Sequence, residues 1–284
     1  MSSNYSDAVE ITAEQAWFLA EHLQAGAFPW KLAITAPYYD PADADQFNSR
    51  MRDELSTPAA GSRAAVMDEH GRVHPAVAAA VRTVCRAEQW LEWLTILDSE
   101  RIGRGVLARG ANRHEAVVAL RYAQMITLTP MQVDYTEALV PILTAGLPES
   151  QPADFNEFTL SMDAGVALDK QAAKGADVVA LLTEMDVPES DAQIMDLVLQ
   201  GDRQYVEITA HEGINGSRHQ TDVSVNIYTT AVGSILVSPP AGEPRSGGES
   251  VFAPADPFAI AVALRDLTAR LPSGGWFPDD SFAT

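Results

Sequence analysis

Two short clusters of histidine and acidic residues are the parts of the sequence best equipped for chemistry. One is Asp68-Glu69-His70 followed by His74, which places four nitrogen or oxygen donors within seven residues. The other is His211-Glu212 together with His219, on either side of an Asn-Gly pair. Imidazole and carboxylate groups bind zinc, and a metal-dependent hydrolase activates water at a site with three or four converging donors. A hydrolase that uses either cluster is therefore one function that the sequence permits.

Neither cluster has the spacing of an established catalytic or metal-binding motif. There is no cysteine pair and no His-Glu-x-x-His, and Gly71 beside His70 is typical of a simple turn. His211-Glu212 and His219 fall at the tip of a predicted hairpin, where solvated polar side chains are usual. No Gly-x-Ser-x-Gly elbow is present, and Cys85 lies inside a predicted helix. We therefore predict no enzyme activity, no cofactor and no metal.

Composition and charge restrict the partners. Of 284 residues, 39 are acidic and 19 basic, which gives a net charge of −20. Such a chain is repelled by nucleic acid and by anionic lipid, both of which are bound through lysine and arginine patches. The longest apolar runs are far below the roughly 20 residues that span a bilayer, and the N-terminus does not read as a secretory signal. One cysteine excludes an intramolecular disulfide, so we expect a cytoplasmic protein.

The order of predicted elements occurs twice. Leu143–Pro148 reads LTAGLP and Leu267–Pro272 reads LTARLP, and each ends a predicted helix that follows a strand meander. In the first half we predict a helix after the capping box Thr12-Ala-Glu-Gln15, further helices around Phe47–Leu55 and from Pro75 to about Leu97, and a short strand at Trp30–Ile34. The meander strands of that half are predicted at Arg104–Arg109, Glu115–Tyr122 and Met125–Thr129, with a helix from Asp134 to Ala145.

The second half follows the same plan. Helical segments are predicted between Ser161 and Gln200, broken at Gly175 and Pro188, and a last helix begins after Asp256-Pro257. The strands are predicted at Gln204–Ala210, Thr221–Thr229 and Ser234–Val237. Chance similarity is the alternative to a repeat. The repeat predicts one α/β body with approximate two-fold symmetry, because joining two antiparallel half-units into one continuous sheet removes two exposed sheet edges. We expect a single body with half-repeats at residues 1–150 and 151–284.

The strands of the second half carry one polar and one aliphatic face. Glu207 and Thr209 alternate with aliphatic residues on one strand, and Ser224, Asn226 and Tyr228 alternate with them on the next. A broad polar face that bears tyrosine is either solvated surface or a docking site. The lack of a catalytic motif favours docking.

Six blocks of the sequence resemble one known family, the EspG proteins of mycobacterial and related type VII (ESX) secretion systems. The blocks are AEQAWFLAEHLQAGAFPWKLAI (13–34), VCRAEQWLEWL (84–94), EAVVALRYAQMITLT (115–129), ALVPILTAGLP (138–148), SILVSPP (234–240) and LTARLPSGGWFPD (267–279). The similarity covers nearly the whole chain and is strongest to the paralogue of the third ESX system. It is weakest at 56–70, 151–185 and 241–250.

This resemblance implies a cytoplasmic chaperone with a pseudo-two-fold α/β fold of the α+β type, in which two helical bundles flank a central antiparallel sheet. Members bind the apolar tip of the PPE protein in PE–PPE heterodimers, keep these dimers soluble and direct them to the cognate secretion system, without a cofactor or an enzymatic activity. Capping an apolar tip suppresses its self-association.

The resemblance also implies which surfaces contact the PE–PPE heterodimer, called the client below. They are the central sheet, the turn after the first meander strand and the C-terminal helical bundle. In this chain they correspond to Glu207, Thr209, Ser224, Asn226 and Tyr228 on the sheet, to Arg109 and Arg113 at the turn, and to Gln193, Asp196 and Gln200 on the bundle. A monomer or weak homodimer is expected. A purely structural homodimer built on the sheet is a third interpretation, beside the chaperone and the hydrolase.

Overall fold

The fold is mixed α/β, with a large antiparallel sheet. The computed structural model describes residues 8–58, 65–110, 115–240 and 248–277, which contain eleven strands and eight α-helices. The chain forms two compact units. The first is built from the described residues up to Glu92 with Gly103–Val133 and Glu212–Ser217, and the second from Trp93–Ile102, Asp134–His211 and the described residues from Arg218 onwards.

The first unit is a sheet covered by three helices. Its elements are β1 (Val9–Thr12), α1 (Ala13–His22), α2 (Ala44–Leu55), α3 (Pro75–Cys85), the start of β2 (Gln89–Ile96), β3 (Ile102–Arg109), β4 (Glu115–Tyr122) and β5 (Met125–Gln132). Its strands follow the order β1–β5–β4–β3–β2. Short 3-10 turns lie at Trp30–Leu32 and Pro41–Asp43.

Local capping explains where these helices begin. The Thr12 hydroxyl accepts a hydrogen bond from the Gln15 amide, and the Gln15 side chain accepts one from the Thr12 amide, so the predicted capping box is confirmed. Helices α1 and α3 then pack apolar side chains on the sheet, and α2 packs on α1. The core includes Ala16, Leu19, Met51, Leu55, Val77, Val81, Val106, Ala119 and Leu128.

The second unit has the same kinds of layer. Its elements are α4 (Leu139–Leu143), β6 (Phe158–Ser161), α5 (Met162–Ala172), α6 (Val178–Glu184), α7 (Glu189–Gln200), β7 (Gln204–Ile214), β8 (Ser217–Gln220), β9 (Val225–Thr230), β10 (Gly233–Ser238), β11 (Glu249–Pro254) and α8 (Pro257–Ala269). The strand order is β2–β7–β9–β10–β11–β6, and β8 pairs with β7. Asp256 caps α8 through two backbone amides, with Pro257 at the first position, as predicted.

The order of elements repeats as the sequence predicts. Each half runs as a strand, three helices, a four-stranded meander and a helix, and the second half has β8 as an additional strand beside β7. The first strand of each half pairs with the last strand of its own meander, β1 with β5 and β6 with β11. The sequence predicts only three strands in each meander. The fourth strand comes from β2 in the first half and from β11 in the second.

Two predicted elements of the first half are wrong. The helix predicted from Pro75 to Leu97 ends at Cys85, because Arg86 leaves helical geometry with φ −122°, and Gln89–Ile96 is a strand. This segment is rich in aromatic and β-branched residues, which favour strands. The strand predicted at Trp30–Ile34 is a 3-10 turn closed by a left-handed residue, Ala33, with φ 51°.

Several boundaries of the second half also differ from prediction. Strand β7 continues to Ile214, β9 begins at Val225, and the sequence predicts no strand where β11 lies. The Asn-Gly turn is confirmed, with φ 50° at Asn215 and 81° at Gly216. The helix predicted at 134–145 is a 3-10 turn followed by the five residues of α4. The sequence also predicts a turn at Gly110-Ala-Asn112 and a loop at Ser56–Gly71. Positions 111 and 112 of this turn and 59–64 of this loop lie outside the described residues.

Candidate partner-binding face

One face of the sheet in the second unit changes from polar to apolar along a row of paired residues. Glu207 of β7 lies opposite Asn226 of β9, which lies opposite Val237 of β10, which lies opposite Phe252 of β11. Directly paired residues share one face of a sheet. We call this side of β7, β9, β10 and β11 the row face. The opposite side carries Val206, Ile208, Val225 and Ile227, all buried, and helix α8 packs against β9 and β10.

The polar end of the row face is partly open to solvent. Tyr205 and Tyr228 are paired across β7 and β9, with ring centroids 5.5 Å apart. Both are half-buried, as are Glu207 and Asn226. Burial raises the pKa of the Tyr228 hydroxyl, so it stays protonated at neutral pH and can donate a hydrogen bond. Ser224 precedes β9, and its Oγ accepts a hydrogen bond of 3.0 Å from Asn226 Nδ2.

The apolar end of the row face lies under the helices α5, α6 and α7. Helix α5 packs on β6 and β11, and α6 packs on α7. Apolar residues of the three helices and of β6 and β10 form one core cluster, which includes Leu160, Leu168, Leu182, Met195, Val198 and Ile235. The helices therefore cover the outer strands of the sheet.

Between α5, α7 and the row face lies an open apolar groove. Its volume is about 280 Å³. Its lining includes Met162, Val166, Leu168, Met195, Val198, Leu199, Tyr228, Ile235, Val237 and Phe252. Met162 and Val166, four residues apart on α5, are each nearly half exposed. Asp169 and Arg203 are the charged residues in the lining. Tyr228 connects the groove to the polar end of the row face.

Sequence reasoning missed this groove, although part of its signal is present. Met162 and Val166 repeat at helical spacing, and an exposed apolar pair of this kind marks a contact surface. Their partners come from α7, β9, β10 and β11, which are far away in the sequence.

The three predicted contacts on the helical bundle share the outward side of α7. Gln193 and Gln200 are exposed, and Asp196 is half-buried. Gln200 Nε2 donates to Asp196 Oδ1 at 2.6 Å, and Gln193 Nε2 to Glu189 Oε1 at 3.4 Å. Leu197 on the same side is 54% exposed. Gln193, Asp196 and Gln200 therefore lie close together, but they do not line the groove.

Three further predicted contact residues lie elsewhere. Thr209 is on β7 but buried, with its Oγ1 2.9 Å from His211 Nε2. Arg109 ends β3 in the first unit and is also buried, which differs from the exposed turn that the resemblance implies. Arg113 lies outside the described residues.

The two histidine clusters do not form metal sites in the described part of the chain. There, no group of three histidine, cysteine, aspartate or glutamate side chains could hold a metal ion. His70 is exposed, and His74 caps α3 by accepting a hydrogen bond from the Ala76 amide at its Nδ1. The prediction of solvated residues at 211–212 is wrong, because β7 continues past them and buries both side chains.

Comparison with known proteins decides the family. The model of the EspG family matches residues 12–266. The chain belongs to the EspG family. It is similar to the ESX-3 secretion-associated protein EspG3 of Mycolicibacterium smegmatis, at 43% identity over 275 residues, covering 96% of this chain and 90% of the relative. For EspG3 of Mycobacterium tuberculosis the identity is 39% over 286 residues, covering 96% and 94%.

A solved structure shows the same fold. It is the type VII secretion system chaperone EspG5 of Mycobacterium tuberculosis in complex with a PE25-PPE41 dimer. The TM-score is 0.76 at 17% identity, over 95% of this chain and 99% of the other. In the part of the chain that the structure describes, every helix is too short or too polar to span a membrane.

Proposed function

We propose that this EspG-family chain is a cytoplasmic chaperone that binds the PPE tip of PE–PPE heterodimers. It keeps these dimers soluble and directs them to the ESX-3 secretion system. The observation that carries this proposal is the open apolar groove beside the polar end of the row face. Family membership and the similarity to ESX-3 secretion-associated proteins support the same function.

The open form and the apolar lining of the groove suit the side chains of a protein partner better than a polar metabolite. Pockets for drug-sized ligands have volumes of about 300–1,000 Å³ and enclose most of the ligand. The groove has about 280 Å³, is open, and is lined mainly by aliphatic and aromatic residues. One or two large apolar side chains from a partner loop fill such a space and remove Met162 and Val166 from water.

The polar end of the row face supplies specificity. Glu207, Asn226 and Tyr228 provide a carboxylate, an amide and a hydroxyl next to the groove. Polar groups that surround an apolar anchor fix its orientation, because an unpaired polar group in a buried interface costs binding free energy. A partner loop with apolar side chains at its tip and hydrogen-bonding groups at its flank is complementary to this arrangement.

The direct experiment mixes the purified chain with a purified PE–PPE heterodimer that the ESX-3 system exports. Size-exclusion chromatography with light scattering should show one complex containing one copy of each chain. The same addition should lower the turbidity that the heterodimer develops on standing. Separate elution at concentrations well above the micromolar range would contradict the proposal.

A further inference from the structure

The first unit contains two arginines that face each other across neighbouring strands. Arg104 of β3 and Arg121 of β4 are direct partners in the antiparallel register. Like charges in such a pair destabilise a sheet. The chain has 39 acidic residues that could have balanced them. Nevertheless, no carboxylate among the described residues forms an ion pair with either guanidinium.

Backbone carbonyls hold both guanidinium groups in place. Arg104 Nη1 donates to the carbonyl oxygen of Lys31 at 3.1 Å, and Arg121 Nη1 to that of Leu32 at 2.7 Å. Arg121 Nε also donates to the carbonyl oxygen of Ala123 at 2.8 Å. Because the two carbonyls belong to consecutive residues, the two groups are neighbours. Each keeps N–H donors that no described residue uses.

No carboxylate of the described residues pairs with the positive charges of this cluster. Burial and then the charge of Arg104 lower the pKa of Arg121. Lys31 adds a third cation on the same turn and is only 6% exposed. Its Nζ lies 4.8 Å from the centroid of the Trp30 ring and makes no hydrogen bond with a described residue. A lysine buried to this extent is normally paired with an acid.

We propose that Arg104 and Arg121, with Lys31 beside them, bind the phosphate group of a small molecule. Arg121 uses Nε and both hydrogens of Nη1 on backbone carbonyls, including that of Ala33 at 2.5 Å, and keeps Nη2, whereas Arg104 keeps Nε and Nη2. The Nε and Nη2 groups of Arg104 form a planar fork that matches two oxygens of a phosphate, and a fork already held by a backbone contact loses little entropy on binding. Nη2 of Arg121 adds a single charged contact beside it.

We expect a small ligand because the net charge of −20 repels extended polyanions. At physiological salt, charges more than about 8 Å away are screened, so a single phosphate is repelled little by the distant carboxylates. The net charge therefore disfavours nucleic acid and anionic bilayers, which meet many surface carboxylates, more than it disfavours a single phosphate.

The exposed Trp30 ring beside the cluster allows an experiment to distinguish a nucleotide from free phosphate as the ligand. Trp30 is 62% exposed, and an indole stacks on a nucleotide base. Inorganic phosphate and AMP share the group that the arginines hold, and only AMP can use the ring. Tighter binding of AMP that is lost in Trp30→Ala identifies a nucleotide, and equal affinities identify the phosphate group alone. Either result supports the site.

The test measures binding of inorganic phosphate and of AMP to the full chain by NMR titration at constant ionic strength. A dissociation constant on the order of 1 mM is expected for phosphate. Arg104→Gln should weaken binding about tenfold or more, because a hydrogen bond to a charged group contributes at least that factor. Arg104→Lys should also weaken it, because an ammonium cannot form the bidentate contact.

The matched control is Arg72→Gln. Arg72 is also in the first unit and loses the same charge, but it is exposed and paired with Asp68 at 2.7 Å. It should change the affinity less than twofold. Equal weakening by Arg72→Gln and Arg104→Gln, or no phosphate binding by the folded wild-type chain, would overturn the proposal. If Arg104→Gln does not fold, Arg104→Lys and Arg121→Lys carry the same comparison.

Discussion

A single charge placed at the mouth of the groove should separate client binding from stability. Val166 lies on α5 at this mouth and is 45% exposed. Valine and aspartate have similar helix propensities, so Val166→Asp leaves the helix intact. Loss of the buried half of the valine side chain costs about 1 kcal/mol, which lowers the melting temperature by about 2–4 °C.

The expected effect on binding is much larger. A client that covers Val166 gains about 1 kcal/mol by burying the rest of this side chain. With aspartate, that gain is lost, and a carboxylate without a partner is desolvated at a cost of about 2 kcal/mol. Together these terms raise the dissociation constant about a hundredfold. Isothermal titration of a PE–PPE heterodimer into the wild-type and variant chains measures this change, and circular dichroism measures the melting temperature.

Leu197→Asp is the matched control. Leu197 is exposed to a similar extent, but it lies on the outward side of α7 with Gln193, Asp196 and Gln200. If the groove holds the client, this variant should bind nearly as the wild type does. Loss of binding in Leu197→Asp together with normal binding in Val166→Asp would refute the reasoning. It would place the contact on the outward side of α7, as the resemblance implies.

Three further predictions follow from single positions. Ser224→Arg should abolish client binding with a nearly unchanged melting temperature, and a pull-down that still retains the client would move the site elsewhere. Gly233→Ala should lower the free energy of unfolding, measured in urea, by more than about 2 kcal/mol, because φ is +125° and a Cβ would lie 2.7 Å from Ala153 Cα. Gly216→Ala is the control: it also has a positive φ but open space around the Cβ, and it should cost about 1 kcal/mol. Equal costs for the two variants would contradict the clash at Gly233. Burial raises the pKa of Cys85 from 9.0 to about 12, so its thiol should resist thiol reagents at pH 8 until the chain is denatured. As pH rises from 9 towards 12, the free energy of unfolding should fall more for the wild type than for Cys85→Ala, because only the unfolded thiol ionises in this range. Rapid labelling of the folded chain would be inconsistent with this burial.

Local signals in the sequence were sufficient where the structure is fixed by neighbouring residues. The capping box at Thr12 and the Asp256-Pro257 start of α8 are found as predicted, because each depends on contacts within four residues. The alternation along β7 and β9 correctly placed Glu207, Asn226 and Tyr228 on one face. The repeated order of elements followed from these local patterns.

The features that could not be predicted from the sequence depend on contacts between residues far apart along the chain. Trp90 and Trp93 are spaced as on a helix, yet they are buried on β2, whose strand state depends on its neighbours in the sheet. Strands β1 and β6 have four residues each and exist through pairing with β5 and β11. The groove is assembled from two helices and four strands, so no continuous segment encodes it.

Hydrogen–deuterium exchange of the chain with and without a PE–PPE heterodimer tests most directly whether the row face and its groove are the docking site. The account predicts added protection in Met162–Ala172 and Val225–Thr230, with Pro75–Cys85 unchanged. Protection confined to the helices of the first unit, with α5 and β9 exchanging as in the free chain, would contradict it.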